Sequence, residues 1–337
     1  VRGAVALSRR QKLFLALPVA LPTLLVIAWY VFTFHRPWRV PAEHQPPASW
    51  LVPVQPGNGL TLKYLGVSGY EVTDGTTTVL MDPTPTRPTP TALITGPIDA
   101  DPKLGEAMCP KATVILVNHS HHDHVIDVPA IALRTGALVV GSQNTVNLAI
   151  ARGVPASQTR VVKSGDSFTV GTFTIDVRSS RHTDILVEQP MSGVIATDAK
   201  DLWFFQYALD DTFAYRLTAA GTTLWFHPTS TYATGELGGL TAPTMIVGVT
   251  GEKQTPEKVK GLLAEGKFKR VIPTHYDNFF QPSAKGLALM PGLNLDAVKR
   301  VFLEQDPSLE WGVLEYDQAI ALPPDAPAAL TGDPFAQ

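Results

Sequence analysis

Thr113-Val114-Ile115-Leu116-Val117-Asn118-His119-Ser120-His121-His122-Asp123-His124 is the stretch that decides how this chain folds. Its first five residues form a continuous apolar run, which predicts a strand buried on both faces. The run stops at Asn118, and the next six residues hold four of the nine histidines. Polar side chains placed directly after a buried strand project from a rigid edge into a cleft. Residues i and i+2 of an extended segment point to the same side, so His119 and His121 can grip one cation together. Neutral imidazole suits zinc or iron, and a carboxylate suits a harder, water-bearing position. Asp123 and His124 follow after a turn and face a neighbouring point, so one segment can serve two metals. A merely solvated polar loop does not account for this clustering, the preceding strand and the interleaved Asp together.

The flanking sequence reads as a mixed α and β domain. Leu60–Leu65 alternates as a half-buried strand, and Thr76–Met81 is a second β-rich run after the Asp74-Gly75 turn. Residues Pro83–Pro102 are rich in Pro and Thr and read as a long loop, a kind of segment that often has a functional role. Strands are predicted at 138–140, 160–162, 167–170, 172–179, 213–217, 223–226, 245–249 and 270–272, with a last pair at 312–315 and 319–322. Helices are predicted at 128–134, 144–152, 255–265 and 296–304. Gly136 stops the first, and Thr255-Pro256 caps and starts the third. Such a pattern implies a sheet-on-sheet core flanked by helices.

Composition narrows the function classes. The chain has 337 residues, 27 Lys+Arg against 30 Asp+Glu, 45% hydrophobic and 17% charged residues. A disordered chain needs less apolar and more charged content, and a nucleic-acid binder needs a basic excess. The single cysteine, Cys109, excludes an intramolecular disulfide framework and Cys-rich zinc modules.

Residues Leu13–Phe34 carry no charge and end in Trp29, Tyr30, Phe32 and Phe34. This predicts one N-terminal transmembrane helix over 13–34 with an aromatic belt. Arg2, Arg9, Arg10 and Lys12 place segment 1–12 in the cytoplasm, so the rest of the chain is expected to be membrane-anchored and extracytoplasmic, periplasmic or extracellular. The competing reading is a cleaved signal peptide and secretion, which calls for a shorter apolar run and a better cleavage site than Val40-Pro41-Ala42 offers. Residues 35–58 hold six prolines and read as a semi-rigid spacer in which His35 and His44 are solvated. Segment 59–322 is then the globular domain and 323–337 a C-terminal tail.

The H-x-H-x-D-H motif after a buried strand resembles that of the metallo-β-lactamase superfamily of hydrolases. Leu62–Gly66 with Gly69 and Val79–Pro83 resembles the opening strands, and Gly141–Val154 the next helix. Arg181-His182-Thr183-Asp184 resembles the site of the third histidine, and Val271–Asp277 the late strand with its His. The likeness runs from about Gly59 to Pro282 and is greatest to the lactonase-like and phospholipid-phosphodiesterase-like branch. It implies an α+β, four-layer αββα sandwich. Position by position, it implies that His119, His121 and His182 hold one metal, and that Asp123, His124 and His275 hold a second. The usual bridging Asp is missing. By this alignment Thr229, after the strand ending at Phe226, stands in its place, and a neutral hydroxyl bridges two cations poorly.

Around these residues, Asp82 ends a strand placed beside the metal site and is a candidate to orient a ligand imidazole. His227 is a candidate packed or supporting histidine, and His122, the variable position of the motif, is expected to point away. Tyr276 is the candidate general acid, with Asp277 beside it as a possible pocket residue. The aromatic segment Leu202–Tyr207 is read as core, substrate wall or membrane-facing patch. The implied chemistry is metal-assisted hydrolysis of an ester-type bond, phosphodiester or lactone, near the membrane. In it, Zn2+ (one or two ions, with Mn2+ or Fe2+ as alternatives) lowers the pKa of water toward about 7 and Asp123 orients that water. A small-molecule or lipid substrate is expected and nucleic acid is not; the sequence leaves the oligomeric state open. The alternative is a non-catalytic metal-binding or sensing module, which the Thr229 departure favours and the retention of all six other ligand positions opposes.

Overall fold

The computed structural model describes residues 38–183, 191–251 and 253–325. Among them, two seven-stranded mixed sheets face each other. The first is built from β1 (Leu60–Gly66), β2 (Gly69–Thr73), β3 (Thr78–Met81), β4 (Val114–Leu116), β5 (Leu138–Gly141), β6 (Thr159–Val161) and the late β14 (Ala319–Leu322), in the order β14-β1-β2-β3-β4-β5-β6. The second is built from β7 (Ser167–Val170), β8 (Phe173–Ser179), β9 (Phe213–Ala219), β10 (Thr222–His227), β11 (Thr244–Gly248), β12 (Arg270–Thr274) and β13 (Glu310–Trp311), in the order β13-β12-β11-β10-β9-β8-β7. Each sheet is antiparallel at one end and parallel at the other. Most of the parallel strands are joined by crossover helices, which cover the outer faces, whereas β10 and β11 are joined by a loop.

Strand β4 carries out the reading of the apolar run. Val114 and Leu116 lie in the core between the sheets, whereas Ile115 lies in a second core on the outer face. That outer core includes Val128 and Ile131 of helix α4 (Val128–Thr135) and Leu148 of α5 (Gln143–Ala151). On the far side, α6 (Pro256–Gly266) contributes Val259 and Leu262, and α7 (Leu295–Gln305) contributes Val298 and Phe302. The expected punctuation is present. Thr255 accepts from Lys258 N–H with Pro256 at the first helical position, and Gly136 ends α4 at φ +75.

Several expectations are corrected. The 83–102 segment is not only loop: it forms α1 (Pro90–Thr95), and α2 (Pro102–Met108) follows, each opened by a side-chain cap (Thr89, Asp101) and a proline. The last strands do not pair with each other. Trp311 lies beside Val271 of β12, and Ala319–Leu322 pairs with β1. The Pro-rich stretch is no free spacer from residue 38 onward. Trp50 is 1% exposed and fills the space above Gly312, where a Cβ would meet its ring at 2.5 Å. His44 is 2% exposed rather than solvated. Its Nδ1 accepts from Trp311 Nε1–H at 3.1 Å, so its Nε2 carries the proton given to Asp296 at 2.8 Å. Proline content limits backbone freedom but does not decide whether the segment docks.

The membrane-anchored, extracytoplasmic placement is also corrected: among the described residues no helix is long and apolar enough to cross a membrane. The anchor expected over 13–34, like segment 1–12 and residues 326–337 of the expected tail, lies outside the described residues.

Candidate metal centre

The ends of β3, β4, β8 and β12 and the loop after β10 bring the site together. After β4 the chain bends at Asn118 and reaches His121, which is extended (φ −67, ψ 152) and precedes the one-turn helix α3 (His122–Val125) as its N-cap. Asn118 secures the start of this segment. Its N–H donates to Asp82 Oδ1 at 2.7 Å, its amide donates to Phe213 O, and its Oδ1 lies 2.5 Å from His119 Nδ1. That contact leaves His119 Nε2 as the outward lone pair, 3.1 Å from His121 Nδ1. His182 closes the group. Its ring centroid is 4.7 Å from that of His119 and 4.6 Å from that of His121, nearly perpendicular to the latter. The ligand atoms of these three residues all lie within 4.8 Å of one another.

A second group adjoins the first. Asp123, His124 and His275 meet the same 4.8 Å limit, and the His119 and His124 rings are 3.9 Å apart. His275 Nε2 lies 3.2 Å from Asp123 Oδ2 and His124 Nε2 lies 3.8 Å from it. Asp82, fully buried, takes the Nδ1 proton of His124 at 2.6 Å, which fixes the tautomer and turns Nε2 toward Asp123. His275 has φ +57 and is pinned through its backbone: its N–H donates to Val67 O at 2.8 Å, and its carbonyl accepts from the Thr250 hydroxyl.

The electrostatics suit a cation. Burial, reinforced by the neighbouring imidazoles, pushes His119 well below its ordinary pKa, and burial takes His121 down to about 3. Both therefore present neutral nitrogen lone pairs at pH 7. Burial alone would raise Asp123, but His124 and the His275 hydrogen bond outweigh it and hold the carboxyl well below the usual range. His121 Nε2 and His275 Nδ1 are buried with no hydrogen-bond partner. A core stabilised only by hydrogen bonds would not leave two imidazoles so poorly satisfied. Packed imidazoles with their nitrogens turned on one another, together with a carboxylate, are a donor set that fits a divalent transition metal.

The groups open into a cleft of about 270 Å³ walled by Leu93, Met191, Phe204, Phe279, Phe280 and Met290, with Thr229 and Ser230 on another side. Of the segment Leu202–Tyr207, only Phe204 lines it; Leu202 and Tyr207 are core. Asp198 and Asp201 are exposed and away from its walls.

Tyr276 and His122 stand elsewhere than expected, while His227 is the packed histidine that was expected. Tyr276 is fully buried, stacked on Tyr64 at 5.4 Å, and its hydroxyl donates to Leu314 O, so it is not placed to act as a general acid. His227 lies behind Thr229, with Nδ1 3.1 Å from Thr229 O and Nε2 2.5 Å from Glu236 Oε1. His122 does not point away. It is 6% exposed, lines the cleft, and lies 6.3–6.4 Å, centroid to centroid, from Phe204, Tyr207 and Phe279.

Sequence reasoning missed Arg87. Its side chain is fully buried with that of Asp277, which accepts from Arg87 Nη1 (2.9 Å), Tyr64 (2.8 Å), Tyr316 (2.7 Å) and Val67 N–H (2.9 Å). This cluster holds the turn whose carbonyl receives His275. No local signal marks it, since its partners lie 190 or more residues away from Arg87 or Tyr64 along the chain.

A domain family described as "Beta-lactamase superfamily domain" matches residues 61–275, from β1 to the last histidine of the site. The chain belongs to the metallo-β-lactamase superfamily. Relatives within the superfamily include a UPF0173 metal-dependent hydrolase of Symbiobacterium thermophilum, 41% identical over 95 residues, which are 28% of this chain and 37% of that protein. Another, from Myxococcus xanthus, is 30% identical over 191 residues, 54% of this chain and 64% of its own length. The chain therefore spans less than two thirds of either relative. Igni18, a metallo hydrolase from Ignicoccus hospitalis, aligns with a TM-score of 0.50 at 16% identity, covering 78% of this chain and 98% of that one, which is a likeness of fold.

Proposed function

We propose that this chain is a metal-dependent hydrolase that cleaves an ester-type bond, in a phosphodiester or a lactone, of a small-molecule substrate. The observation that carries the proposal is the meeting of two three-residue donor groups from three separate segments of the chain at the floor of one cleft. The metal-dependent hydrolase names of the superfamily relatives support the same reading.

His119, His121 and His182 would hold one cation, and Asp123, His124 and His275 a second. A divalent ion bound there supplies Lewis acidity and lowers the pKa of water toward about 7. The chain's own residues do the rest. Asp123, held ionised, accepts the hydrogen bond that turns a water's lone pair toward the substrate. Asp82 and Asn118 fix the tautomers of His124 and His119, so the donor atoms are set before anything binds. The apolar, partly buried walls displace water from the floor and strengthen the charge interactions there. Zinc is the first choice for a three-imidazole group, and Mn2+ or Fe2+ also suits the group containing Asp123.

Thr229 sits in the cleft wall with its hydroxyl 3.0 Å from Ser180 Oγ. With a hydroxyl there instead of a carboxylate, Asp123 is the single anion among the proposed ligands, and the two groups are expected to retain metal unequally. The same feature supports the second reading, a metal-binding or sensing module without turnover. Metal analysis of the purified chain, with assays on a panel of phosphodiesters and lactones, separates the two. Stoichiometric metal, and turnover lost in a folded Asp123→Ala variant, is the expected result. A folded protein that takes up no transition metal overturns both readings, and bound metal with no turnover on any substrate favours the sensor.

A further inference from the structure

The cleft over the metal centre continues. At Thr250, Gly251 and Met290 it meets a second depression of about 630 Å³ that runs along the N-terminal half of α7. Its walls are largely carbon: Val249, Pro291, Leu293, Ala297, Val298 and Val301. The polar side chains Lys253, Gln254 and Asn294 also border it. Among the described residues, no Lys or Arg lines the inner cleft. The loop at the junction closes tightly on the site, since a Cβ on Gly251 (φ +106) would sit 3.0 Å from Thr183, the neighbour of His182. A ligand atom at the metal centre is thus flanked by Phe204, Phe279 and Phe280, and the way out past Met290 remains apolar.

We propose that the substrate carries an apolar arm, alkyl or aryl, that lies on the Phe204–Phe279–Phe280 wall and leaves the cleft past Met290 into the groove on α7. The inference rests on the hydrolase reading for the bond that is cut, but the arm is argued from the cleft alone. Two observations commit the groove to this occupant: its continuity with the metal cleft through three shared residues, and the aromatic side chains at its inner end. Combined, the two spaces fall in the size range that encloses most of a small organic ligand. The arm does not fix the head, because a carboxylic ester and a phosphodiester can carry the same chain.

The test has a binding part and a turnover part, both on the full chain. The uncharged fluorophore N-phenyl-1-naphthylamine is titrated with and without EDTA and displaced with 1-butanol or 1-decanol. Saturable binding that survives EDTA, with decanol displacing far better than butanol, is expected. In parallel, p-nitrophenyl carboxylic esters from acetate to decanoate, and alkyl p-nitrophenyl phosphodiesters of matching chains, are assayed with metal. In whichever head series is cleaved, kcat/KM should rise by up to about fourfold per added methylene until the groove is filled. Ala297→Trp, an exposed position in the groove, should cut the decanoyl-to-butyryl ratio at least tenfold. Val301→Trp checks the same ratio independently. A flat chain-length profile, or ratios unmoved by both tryptophans, overturns the proposal. Chain-length-dependent displacement with no turnover in either series supports the arm and overturns the hydrolase reading, so the two fail separately.

Discussion

Removing the Asp277 carboxylate should destabilise the protein more than removing most single core side chains. In the native state it accepts four hydrogen bonds, from Arg87, Tyr64, Tyr316 and Val67 N–H, and neither it nor the Arg87 side chain is exposed. Asp277→Ala leaves the guanidinium buried without its counter-charge, which costs about 3–5 kcal/mol. Tyr64 keeps Val67 O as a second acceptor, so its loss is partial. Val67 N–H keeps none of its Asp277 bond, a penalty of about 1–3 kcal/mol that overlaps the first. A net loss of about 4 kcal/mol is a large part of an ordinary domain's stability of about 5–15 kcal/mol. In urea unfolding this should lower the midpoint by about 1–1.5 M for a slope of about 3 kcal/mol/M. The double variant Arg87→Met/Asp277→Leu removes both charges together. It should lose about 2–3 kcal/mol less than the sum of the two single changes. Single-variant losses below about 1 kcal/mol, or strict additivity in the cycle, would refute the view that this pair is a coupled unit.

Three further outcomes are expected. Asp82→Ala removes the acceptor of the His124 Nδ1 proton and should weaken metal binding by about 10–100-fold, read by competition with a chromophoric chelator; unchanged affinity would remove Asp82 from the site's support. Thr229→Asp should raise the metal-to-protein ratio retained on dialysis, and an unchanged ratio would show that position 229 does not face the ions. Burial lifts the Asp127 carboxyl to about 7 despite two hydrogen bonds from Thr86. A folded pKa above the unfolded value means that this group favours the native state below about pH 4 and that the benefit is lost as pH rises through about 7. The stability difference between Asp127→Asn and wild type should therefore shift in the variant's favour across that window and level off above it, and a pH-independent difference would contradict the burial argument.

The fold was legible where periodicity and local chemistry coincide. The TVILV run, the alternating Thr172–Ser179 segment and the Thr255-Pro256 helix start each carry their explanation within a few residues. The six candidate ligand positions were legible through the histidine cluster and its likeness to the superfamily, and the structure brings all six together in two groups. What was not legible is what depends on side-chain direction at a strand end. His275 and Tyr276 are neighbours, yet one faces the cleft and the other stacks in the core on Tyr64. His122 was misplaced for the same reason: one turn of helix swings it into the aromatic wall rather than toward solvent. Docking of the Pro-rich segment was invisible because its contacts, His44 with Asp296 and Trp50 with Glu310, span more than 250 residues.

The backbone around the second donor group accounts for the buried charge cluster beside it. Val67, Asp82 and His275 have φ of +58, +40 and +57, a region where a non-glycine residue costs about 1–2 kcal/mol. Glycine would relieve the strain at Asp82 and His275 but would delete the carboxylate that fixes His124 or the imidazole that completes the group. The strain must therefore be held by partners. His275 N–H bonds to Val67 O, Val67 N–H to Asp277, and Asp82 N–H to Leu116 O. Asp277 in turn is fixed by Arg87 and two tyrosines. Breaking the pair should then loosen His275 before it loosens His119 or His121, whose segment is secured separately through Asn118 and Ser120. In a folded Asp277→Asn variant the site formed by Asp123, His124 and His275 should lose metal affinity while the three-histidine site keeps it. Equal weakening of both sites would mean that the cluster supports the fold as a whole and not this histidine.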